Sequence, residues 1–417
     1  MKSIEQKYRK LDDIEHALLR PGMYIGSTKT REDECFLLDE VGKFKIQKVK
    51  NNPGFLKIFD EIISNSADEH RRNPKLNRVD VVADVESGYI TIKDNGGIPV
   101  VKHSSHNEWV PEMIFSNLKA GSNFDDSEDR LVAGTNGVGA TLTNIFSKVF
   151  KIHTCDGKKE FRQEFNNNMR DREAPVVSRK KSRGFTEISY LPDYSQFEMN
   201  GLNADAIQLM RKRCADLASC NPTLKVFFNG ERFSYPSFSA YCRLYVDDVM
   251  FEASERWKIG VGASDGSMKQ VSFVNGVETK DGGTHVDFVC NQVVAAVRER
   301  LRKRHKVTLR PSEIKNHLFV FVSADIVNSS FSSQTKEKLI TDPRDFGSKH
   351  EMSEKLLKAI CGSEVIQRIL DWAQQKKKAD ERKALRQLNK KLDKEKVLKL
   401  IDAKARKRGK CTLSLFE

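Results

Sequence analysis

The sequence predicts an α+β protein in which helices cover a sheet. Two kinds of segment lead to this prediction: some carry apolar residues at the i, i+3, i+4, i+7 spacing of a helix, and others alternate apolar and polar residues as strands do. Glycine-rich stretches separate them. A chain of 417 residues also exceeds the size at which one hydrophobic core stops growing, which predicts two domains and an appendage.

The first predicted domain contains most of the recognisable elements. A buried stripe is predicted on a helix at 55–69, because its residues recur at helical spacing: Phe55, Ile58, Phe59, Ile62, Ile63 and Ser66. The segment KVFFNGERF, from Lys225 to Phe233, carries an Asn-Gly hairpin signal in its middle. The other elements predicted here are strands near 78–85 and 88–93, a helix at 140–150 behind a glycine-rich stretch, strands within 150–192, and a helix near 203–218.

A second alternating unit begins after about residue 248. It is predicted to contain strands at 257–263 and 270–275, a helix from His285 to about His305, and a strand at 317–327. From about residue 351 the chain is Lys-rich and poor in Gly and Pro, which predicts helix, before a short β-like CTLSLFE. We therefore predict domains at residues 1–245 and 246–375 and a basic helical tail at 376–417.

The charge balance favours a polyanionic partner without identifying it. Lys and Arg number 72 against 58 Asp and Glu, and the net charge is +14. Much of the excess lies in residues 376–410, which hold sixteen basic and five acidic residues. Any single Lys or Arg there is as well explained by a solvated helix face as by contact with DNA phosphates.

Cysteine usage and hydropathy exclude other classes. The eight cysteines are dispersed without a Cys-x-x-Cys pair, so neither a zinc ligand set nor a disulfide framework is indicated. No apolar run has the length that a membrane span requires, and the first residues lack the apolar core of a secretory signal. We expect a cytoplasmic protein without a membrane partner.

The predicted helix at 55–69 has a second, polar face. At 100° per residue, Glu61, Asn65 and Asp68 fall close together, so two carboxylates and an amide could share a pocket. Taken alone, such a stripe is more often a solvated face.

A strand from Tyr89 to Lys93 runs into Asp94, Asn95 and two glycines. Asn-Gly after a strand is a common turn. A carboxylate at the end of this strand could also accept a hydrogen bond from the exocyclic amine of adenine, and the glycines would let a flat base approach the backbone.

The stretch AGTNGVGATLTNIFS places Gly134, Gly137 and Gly139 before an apolar helix. Free backbone N–H groups at such a junction can cradle phosphates, although many flexible loops use glycine in the same way. The Gly-x-x-x-x-Gly-Lys-Ser/Thr motif is absent from the sequence, so any nucleotide site here is not a P-loop.

The fourth segment is FSSQTKEKL, from Phe331 to Leu339. If it is extended, Ser332, Gln334 and Lys336 point to one side and could reach a neighbouring pocket. From composition alone, a solvated loop is the better interpretation.

Together and in this order, the four segments resemble the ATPase region of type II DNA topoisomerases, and the resemblance covers essentially the whole chain. RPGMYIGS (Arg20–Ser27) is similar to the family's opening motif, FDEIISNSADE to its Glu/Asn helix, GGTHVDFV (Gly282–Val289) to the start of its transducer helix, and FSSQTKEKL to its Gln-Thr-Lys loop. The stretch from Glu108 to Ser147 looks closest to the large subunit of T-even-type bacteriophage topoisomerases. The implied fold is a GHKL (Bergerat) ATPase domain, a ribosomal-S5-like transducer domain and a basic helical tail.

The resemblance implies a role for particular residues. Glu61 would be the general base that activates water, Asn65 the side-chain ligand of Mg²⁺, and Lys336 the cation at the γ-phosphate of ATP. Tyr8 would reach the nucleotide of a partner subunit, which implies a homodimer formed on ATP binding. The other residues implied in nucleotide binding are Asp68, Asp94, Asn95, Ile98, Asn123, Thr135, Asn136, Gly137, Val138, Gly139, Ala140 and Gln334.

Two departures from the family pattern bear on these roles. The adenine loop reads Asp-Asn-Gly-Gly, one residue shorter than Asp-x-Gly-x-Gly, so either Asp94 or Asn95 could face adenine. After Gly139 the chain has Ala140 and Thr141 where the eukaryotic enzymes carry a Lys.

CTLSLFE resembles the strand leading into the metal-binding Toprim motif, whose first glutamate would be Glu417. We therefore expect this polypeptide not to cut DNA itself and to work with DNA-cleaving topoisomerase subunits on double-stranded DNA, in the cytoplasm of a bacterial host if phage-encoded. Two alternatives are another GHKL ATPase, MutL-like or Hsp90-like, and a non-enzymatic DNA-binding clamp using the tail and Arg298–Lys306. The Gln-Thr-Lys loop argues against the first, and ATPase activity would argue against the second.

Overall fold

The computed structural model describes residues 4, 8, 10–121, 129–132, 134, 136–392 and 407–412, and it omits the side chains of 389–392 and 408. It comprises two compact units, Met1–Val365 and Ile366–Glu417. The boundary between the first two predicted domains lies inside the larger unit and stays a prediction.

The larger unit is α+β, as predicted. Its helices are α1 (Asp13–Leu19), α2 (Pro53–Arg72), α3 (Val110–Ser116), α4 (Gly139–Ile145), α5 (Ala204–Cys220), α6 (Phe238–Cys242), α7 (Thr284–Arg300), α8 (Pro311–Lys315) and α9 (Glu354–Ile360). Its strands are β1 (Arg31–Leu38), β2 (Phe44–Asn51), β3 (Arg78–Ala83), β4 (Ile90–Asp94), β5 (Ser147–Cys155), β6 (Lys159–Asn166), β7 (Asp171–Arg172), β8 (Val176–Arg179), β9 (Phe185–Pro192), β10 (Lys225–Phe228), β11 (Glu231–Phe233), β12 (Met250–Ala253), β13 (Trp257–Ala263), β14 (Lys269–Val274), β15 (Val277–Glu278) and β16 (Leu318–Ala324).

Two sheets organise this unit. The first sheet runs β11-β10-β3-β4-β9-β5-β6-β7, with β8 also paired to β6. Its strands are antiparallel except for the parallel pair β3 and β10. The second sheet runs β12-β13-β16-β14-β15, with β14 and β16 parallel. The predicted hairpin KVFFNGERF is β10 and β11, and Asn229 and Gly230 take the positive φ values that its turn requires.

The helix predicted at 55–69 is α2, and its start follows from the sequence. The side chain of Asn52 accepts a hydrogen bond from the N–H of Phe55, and Pro53 occupies the first turn, where its missing N–H costs nothing. The predicted apolar stripe of Phe55, Ile58 and its neighbours is buried. Burial of that stripe fixes which way the polar residues of α2 face.

The prediction of a helix at 140–150 is wrong for its C-terminal part. Helix α4 ends at Ile145, and β5 begins at Ser147. The hydroxyl of Ser147 donates to the carbonyl of Thr143 and closes the last turn, and the chain then alternates buried and exposed residues as a strand. The helix predicted from His285 is α7, which runs into a π-helical turn at Leu301–His305.

The β1–β2 hairpin and the short helices α3 and α6 were not predicted. The hairpin pairs all eight residues of β1 with β2, and its aromatic residues lie against residues near the second sheet. Phe36 stacks on Phe319, and Phe44 stacks on Tyr245 at 4.1 Å between ring centroids. This packing brings the hairpin and the second sheet into one hydrophobic core with α2.

The Lys-rich helix predicted near the C-terminus is α10, Glu364–Leu392. Within it, the ammonium group of Lys376 lies over the ring of Trp372 at 5.1 Å. Most of the CTLSLFE segment lies outside the described residues. Among the helices that are described, none combines the length and apolar composition needed to cross a membrane.

Candidate active site

Glu61 lies on α2 as a buried carboxylate beside a buried lysine. Glu61 is only 6% exposed to solvent. The Nζ atom of Lys57, one turn earlier on the helix, lies 2.7 Å from the Oε1 atom of Glu61. Lys57 also lies 3.5 Å from Asp60. The part of the polar side of α2 around Glu61 is therefore an enclosed pair of charges rather than a solvated face, whereas Asn65, one turn later, is exposed.

The charge state of Glu61 follows from its neighbours. Burial alone raises the pKa of a carboxyl group, but the positive charges of Lys57 and Lys336 outweigh it and lower the pKa of Glu61. Glu61 is therefore ionised at neutral pH and can accept a proton or a hydrogen bond from water.

Gly139, the first residue of α4, lies directly against Glu61. A Cβ atom built on Gly139 would sit 1.8 Å from Glu61 Oε2. Helix α4 is held in this place because the buried hydroxyl of Thr143 donates to the carbonyl of Ile58 on α2 at 2.9 Å. The start of α4 and the Glu61 carboxylate of α2 thus belong to one site.

Asp94 and Asn95 point to different parts of the molecule. The Asp94 carboxylate, at the end of β4, accepts hydrogen bonds from the hydroxyl of Ser66 on α2 and from the N–H of Gly96. Partial burial raises the pKa of Asp94. The exposed Asn95 instead accepts from the backbone N–H groups of Asn77 and Arg78. Asp94 faces α2, whereas the Asn95 side chain holds the backbone at the beginning of β3.

The glycines after Asp94 have a structural use, and their predicted use in letting a flat base approach stays a prediction. A Cβ on Gly97 would meet the carbonyl oxygen of Cys155 at 2.4 Å. A Cβ on Gly184 would likewise meet the carbonyl oxygen of Gly96 at 2.2 Å. Close backbone packing between these segments accounts for glycine at these positions.

The segment Phe331–Leu339 is a folded-back loop, so the prediction of an extended segment is wrong. Phe331 pairs with Leu339, and the N–H of Lys336 donates to the carbonyl of Ser333 in a tight turn. Lys336 has a φ of 62° and is only 6% exposed. The solvated loop that composition favoured is also wrong, because Lys336 lies close enough to Glu61 and Asp60 to lower the pKa of both carboxyl groups.

Two contacts hold this loop against the glycine-rich stretch and the RPGMYIGS motif. The amide of Asn136 donates to the Gln334 side chain at 2.6 Å. A Cβ on Gly26 would meet Thr335 at 2.9 Å, so Gly26 allows the loop to approach closely. Three segments that are far apart in the sequence thus meet at this loop.

The remaining predicted residues are distributed as follows. Asn65 is exposed on α2, whereas Asp68 is buried and accepts a hydrogen bond from the N–H of Gly134. The Ile98 N–H donates to Thr154. Gly137 has a φ of 60° and accepts from Ala120, and Val138 and Ala140 flank Gly139 at the start of α4. Tyr8 is 73% exposed. Asn123 and Thr135 lie outside the described residues.

A cavity of about 350 Å³ lies on another side of α2, between α2, α5, the β1–β2 hairpin and the second sheet. Lys57, Asp60, Lys212 and Arg213 line it together with Glu278. Asp94, Asn65 and Gly139 do not line it. The cavity therefore lies beside the site around Glu61, and Lys57 together with Thr335 and Glu337 of the Phe331–Leu339 loop borders it.

Comparison with known proteins gives a consistent picture. A family model described as DNA gyrase B matches residues 237–389. The chain is 40% identical over 435 residues to a probable DNA topoisomerase 2 of Dictyostelium discoideum and 39% identical over 439 residues to DNA topoisomerase 2 of Arabidopsis thaliana. Both matches cover 100% of this chain but only 28% and 29% of those relatives.

Solved structures match over their full length. The ATPase and transducer domains of DNA topoisomerase II from Balamuthia mandrillaris superpose with a TM-score of 0.86 at 37% identity, over 90% of this chain and 100% of that one. The chain belongs to the DNA topoisomerase II family. The ATPase region of Saccharomyces cerevisiae topoisomerase II, with a TM-score of 0.84 at 36% identity over 88% of this chain and 99% of that one, agrees. The fold is thus the GHKL ATPase and transducer fold that the resemblance implied.

The sequence patterns did not indicate three polar residues that contact the site in this topoisomerase II family member. Lys57 contacts the Glu61 carboxylate, Ser66 donates to Asp94, and Arg213 of α5 donates to Asp60. Lys57 could have been found, because it precedes Glu61 by four residues and so shares its helical face. Ser66 was read as part of the buried apolar stripe, and nothing in the local sequence links Arg213 to α2.

Proposed function

We propose that this chain is the ATP-hydrolysing gate of a type II DNA topoisomerase, which binds Mg-ATP, dimerises and couples hydrolysis to DNA strand passage. The observation that carries the proposal is the meeting of Glu61, Gly139 and Lys336 at one place. A base, a loop with close backbone approach and a cation are what phosphoryl transfer to water requires.

Glu61 is the general base of the proposed reaction. Its ionised carboxylate orients the attacking water and accepts its proton. Lys57 and Thr143 fix its surroundings, the first by direct contact and the second by holding α4 against α2. In a loose phosphoryl-transfer transition state, positioning of this kind and electrostatic stabilisation supply most of the catalysis.

Asp94 is the adenine-recognising residue of the proposed site. Its oxygens accept hydrogen bonds from Ser66, Gly96 and the backbone of Thr186, which still leaves a lone pair for the exocyclic amine of adenine. Asn95 is committed to the backbone of β3, which supports Asp94 over Asn95. The segment from Asn136 to Ala140, with Asn123 and Thr135, would surround the phosphates.

Asn65 is the proposed protein ligand of Mg²⁺. Its exposed amide beside Glu61 on α2 fits an ion that the protein holds through few groups, because Mg²⁺ keeps most of its shell as water and substrate phosphate. Among the described residues no cluster of three or more His, Cys, Asp or Glu could hold a metal by itself. The ion would neutralise charge on the β- and γ-phosphates.

Lys336 makes the site a switch. Its ammonium group comes from the loop that follows the second sheet, so a contact with the γ-phosphate exists before hydrolysis and is lost after it. Gln334 and Asn136 already link this loop to the phosphate segment. The exposed Tyr8 would reach the partner subunit in an ATP-dependent homodimer.

Duplex DNA is the proposed macromolecular substrate, and DNA-cleaving topoisomerase subunits are the proposed partners. Arg302, Lys303 and Arg304 are exposed on the π-helical turn after α7 and could contact phosphates. Glu299 pairs with the first two, which limits their net charge. A closer relationship to T-even phage topoisomerases, and with it a location in the bacterial cytoplasm, rests on the sequence resemblance.

Replacement of Glu61 tests this function. Glu61→Ala should keep ATP affinity and slow phosphate release by roughly 10²- to 10⁴-fold, because it removes a general base. Glu32→Ala, an exposed glutamate on β1, is the control. Near-normal phosphate release by Glu61→Ala would remove Glu61 from this role. Solution mass should double when a non-hydrolysable ATP analogue is added, and a constant monomer mass would contradict the gate.

A further inference from the structure

A second group of buried charges lies behind Glu61, where α2 packs against α5. Arg213 of α5 is 9% exposed, and its guanidinium group reaches across to α2. The Nε atom donates to Asp60 Oδ1 at 2.5 Å, and Nη2 donates to Ser64 at 3.1 Å. Arg213 therefore neutralises the carboxylate that immediately precedes Glu61 in the chain.

A third contact fixes the guanidinium from the second sheet. Nη2 of Arg213 also donates to the carbonyl of Gly276, in the turn between β14 and β15, at 3.2 Å. A planar guanidinium that bridges three elements has little freedom to reorient. The position of its charge is therefore set by α2 and the second sheet together.

Lys57 is shared between two neighbouring carboxylates. Its Nζ atom lies 2.7 Å from Glu61 and 3.5 Å from Asp60. The closer cationic partner of Asp60 is Arg213, whose Nε atom lies 2.5 Å from the Asp60 Oδ1 atom. Burial raises the pKa of Asp60, but Arg213 and then Lys57 reverse this effect and lower it strongly.

We propose that Arg213 is a positioning residue for Glu61: by occupying Asp60 it leaves Lys57 beside Glu61 and so keeps that carboxylate directed at the attacking water. The inference rests on the proposed function, in which Glu61 is the general base. Without Arg213, the buried Glu61 and the half-buried Asp60 compete for Lys57, and the Glu61 side chain loses its fixed partner.

The test is a charge-balance experiment on the full chain. Arg213→Met should lower kcat for ATP hydrolysis about tenfold, because misplacing a catalytic group by about an ångström has effects of this order or larger. The KM for ATP should change by less than about twofold, because nothing that binds the nucleotide is altered. In the double variant Arg213→Met with Asp60→Asn, kcat should return to within about threefold of the parent, since Lys57 then has only Glu61 to serve.

Two further variants separate positioning from structural support. Arg213→Lys keeps a positive charge beside Asp60 and should retain kcat to within about threefold. Lys212→Met is the matched control, because Lys212 is the adjacent buried cation of α5 and joins Asp216 and Glu278 without contacting Asp60. It should lower the unfolding temperature while leaving kcat within about twofold.

The kcat values of Arg213→Met and of the double variant decide whether Arg213 positions Glu61. A normal kcat in Arg213→Met, or a double variant more than about tenfold below the parent, would overturn the inference. The double variant carries no unpaired buried charge, so it remains informative even if Arg213→Met does not fold. If Glu61→Ala also hydrolyses ATP normally, the proposed function fails instead. Loss of hydrolysis in Glu61→Ala with normal Arg213→Met rejects the positioning role alone.

Discussion

A single methyl group placed on Gly139 should stop hydrolysis without unfolding the chain. In Gly139→Ala the new Cβ would lie 1.8 Å from Oε2 and 2.5 Å from Cδ of Glu61. Carbon and oxygen atoms in contact stay about 3.5 Å apart, so the carboxylate oxygen must move by roughly 1.7 Å. It can do so because it is the end of a flexible side chain, and because Gly139 does not have the positive φ that would exclude alanine.

The magnitudes separate catalysis from stability. Alanine in a helix is favoured over glycine by about 1 kcal/mol, which partly offsets the weakened contact between Lys57 and Glu61. Catalysis has no such compensation, because displacement of a catalytic group by about 1 Å can cost roughly a hundredfold. A hundredfold loss corresponds to about 2.7 kcal/mol in activation free energy.

Phosphate release at saturating ATP, ATP affinity and urea unfolding should be measured together. We expect release to fall about a hundredfold, while the free energy of unfolding changes by less than about 2 kcal/mol. Gly362→Ala is the matched control, because its Cβ would make only ordinary contacts, at 3.5 and 3.6 Å. Phosphate release from Gly139→Ala within about threefold of the parent would refute the argument that the position of the Glu61 carboxylate controls hydrolysis.

Three further predictions concern the γ-phosphate, pH and the tail. Lys336→Ala should reduce the preference for ATP over ADP and lower hydrolysis about a hundredfold, and an unchanged affinity ratio would count against it. Burial lowers the pKa of His285 to about 3 from 6.5, so this imidazole stays neutral in the fold. The unfolded chain binds a proton at His285 below pH 6.5, so the free energy of unfolding falls as the pH drops from 6.5 towards 3. Urea unfolding should show about 2 kcal/mol lost between pH 6.5 and 5 and a shallower slope in His285→Gln, and equal slopes would exclude this origin. Deletion of residues 376–417 should reduce the salt dependence of DNA binding, which an unchanged slope would contradict.

Helix α2 and the β10–β11 hairpin could be predicted because their signals are local. The hydrophobic stripe of α2 runs from Phe55 to Ala67, about three turns, and Asn52 and Pro53 mark the start of the helix. An Asn-Gly pair between two strand-like segments specifies a hairpin by its own backbone preferences. In both cases the residues that determine the structure lie within a few positions of one another.

The structure of the site depends on contacts between distant segments, which local sequence patterns do not predict. Lysine is rarely buried, so composition favoured a solvated loop for Lys336, and only the approach of the loop to α2 and Gly26 encloses it. The choice between Asp94 and Asn95 likewise depends on Ser66, 28 residues earlier. The β1–β2 hairpin was missed because its first strand begins with the charged run Arg-Glu-Asp-Glu, which hides the alternation expected of a strand.

The low pKa of Glu61 appears at first to disagree with its proposed role as a base. A carboxylate whose pKa is held down by Lys57 and Lys336 is a weaker proton acceptor than an ordinary glutamate. In a loose transition state, however, bond formation to water is little advanced, so orientation of the water matters more than the strength of the base. The same two cations keep the carboxylate ionised and fixed in place despite its burial. Their removal should therefore cost more through lost orientation than it gains through greater basicity.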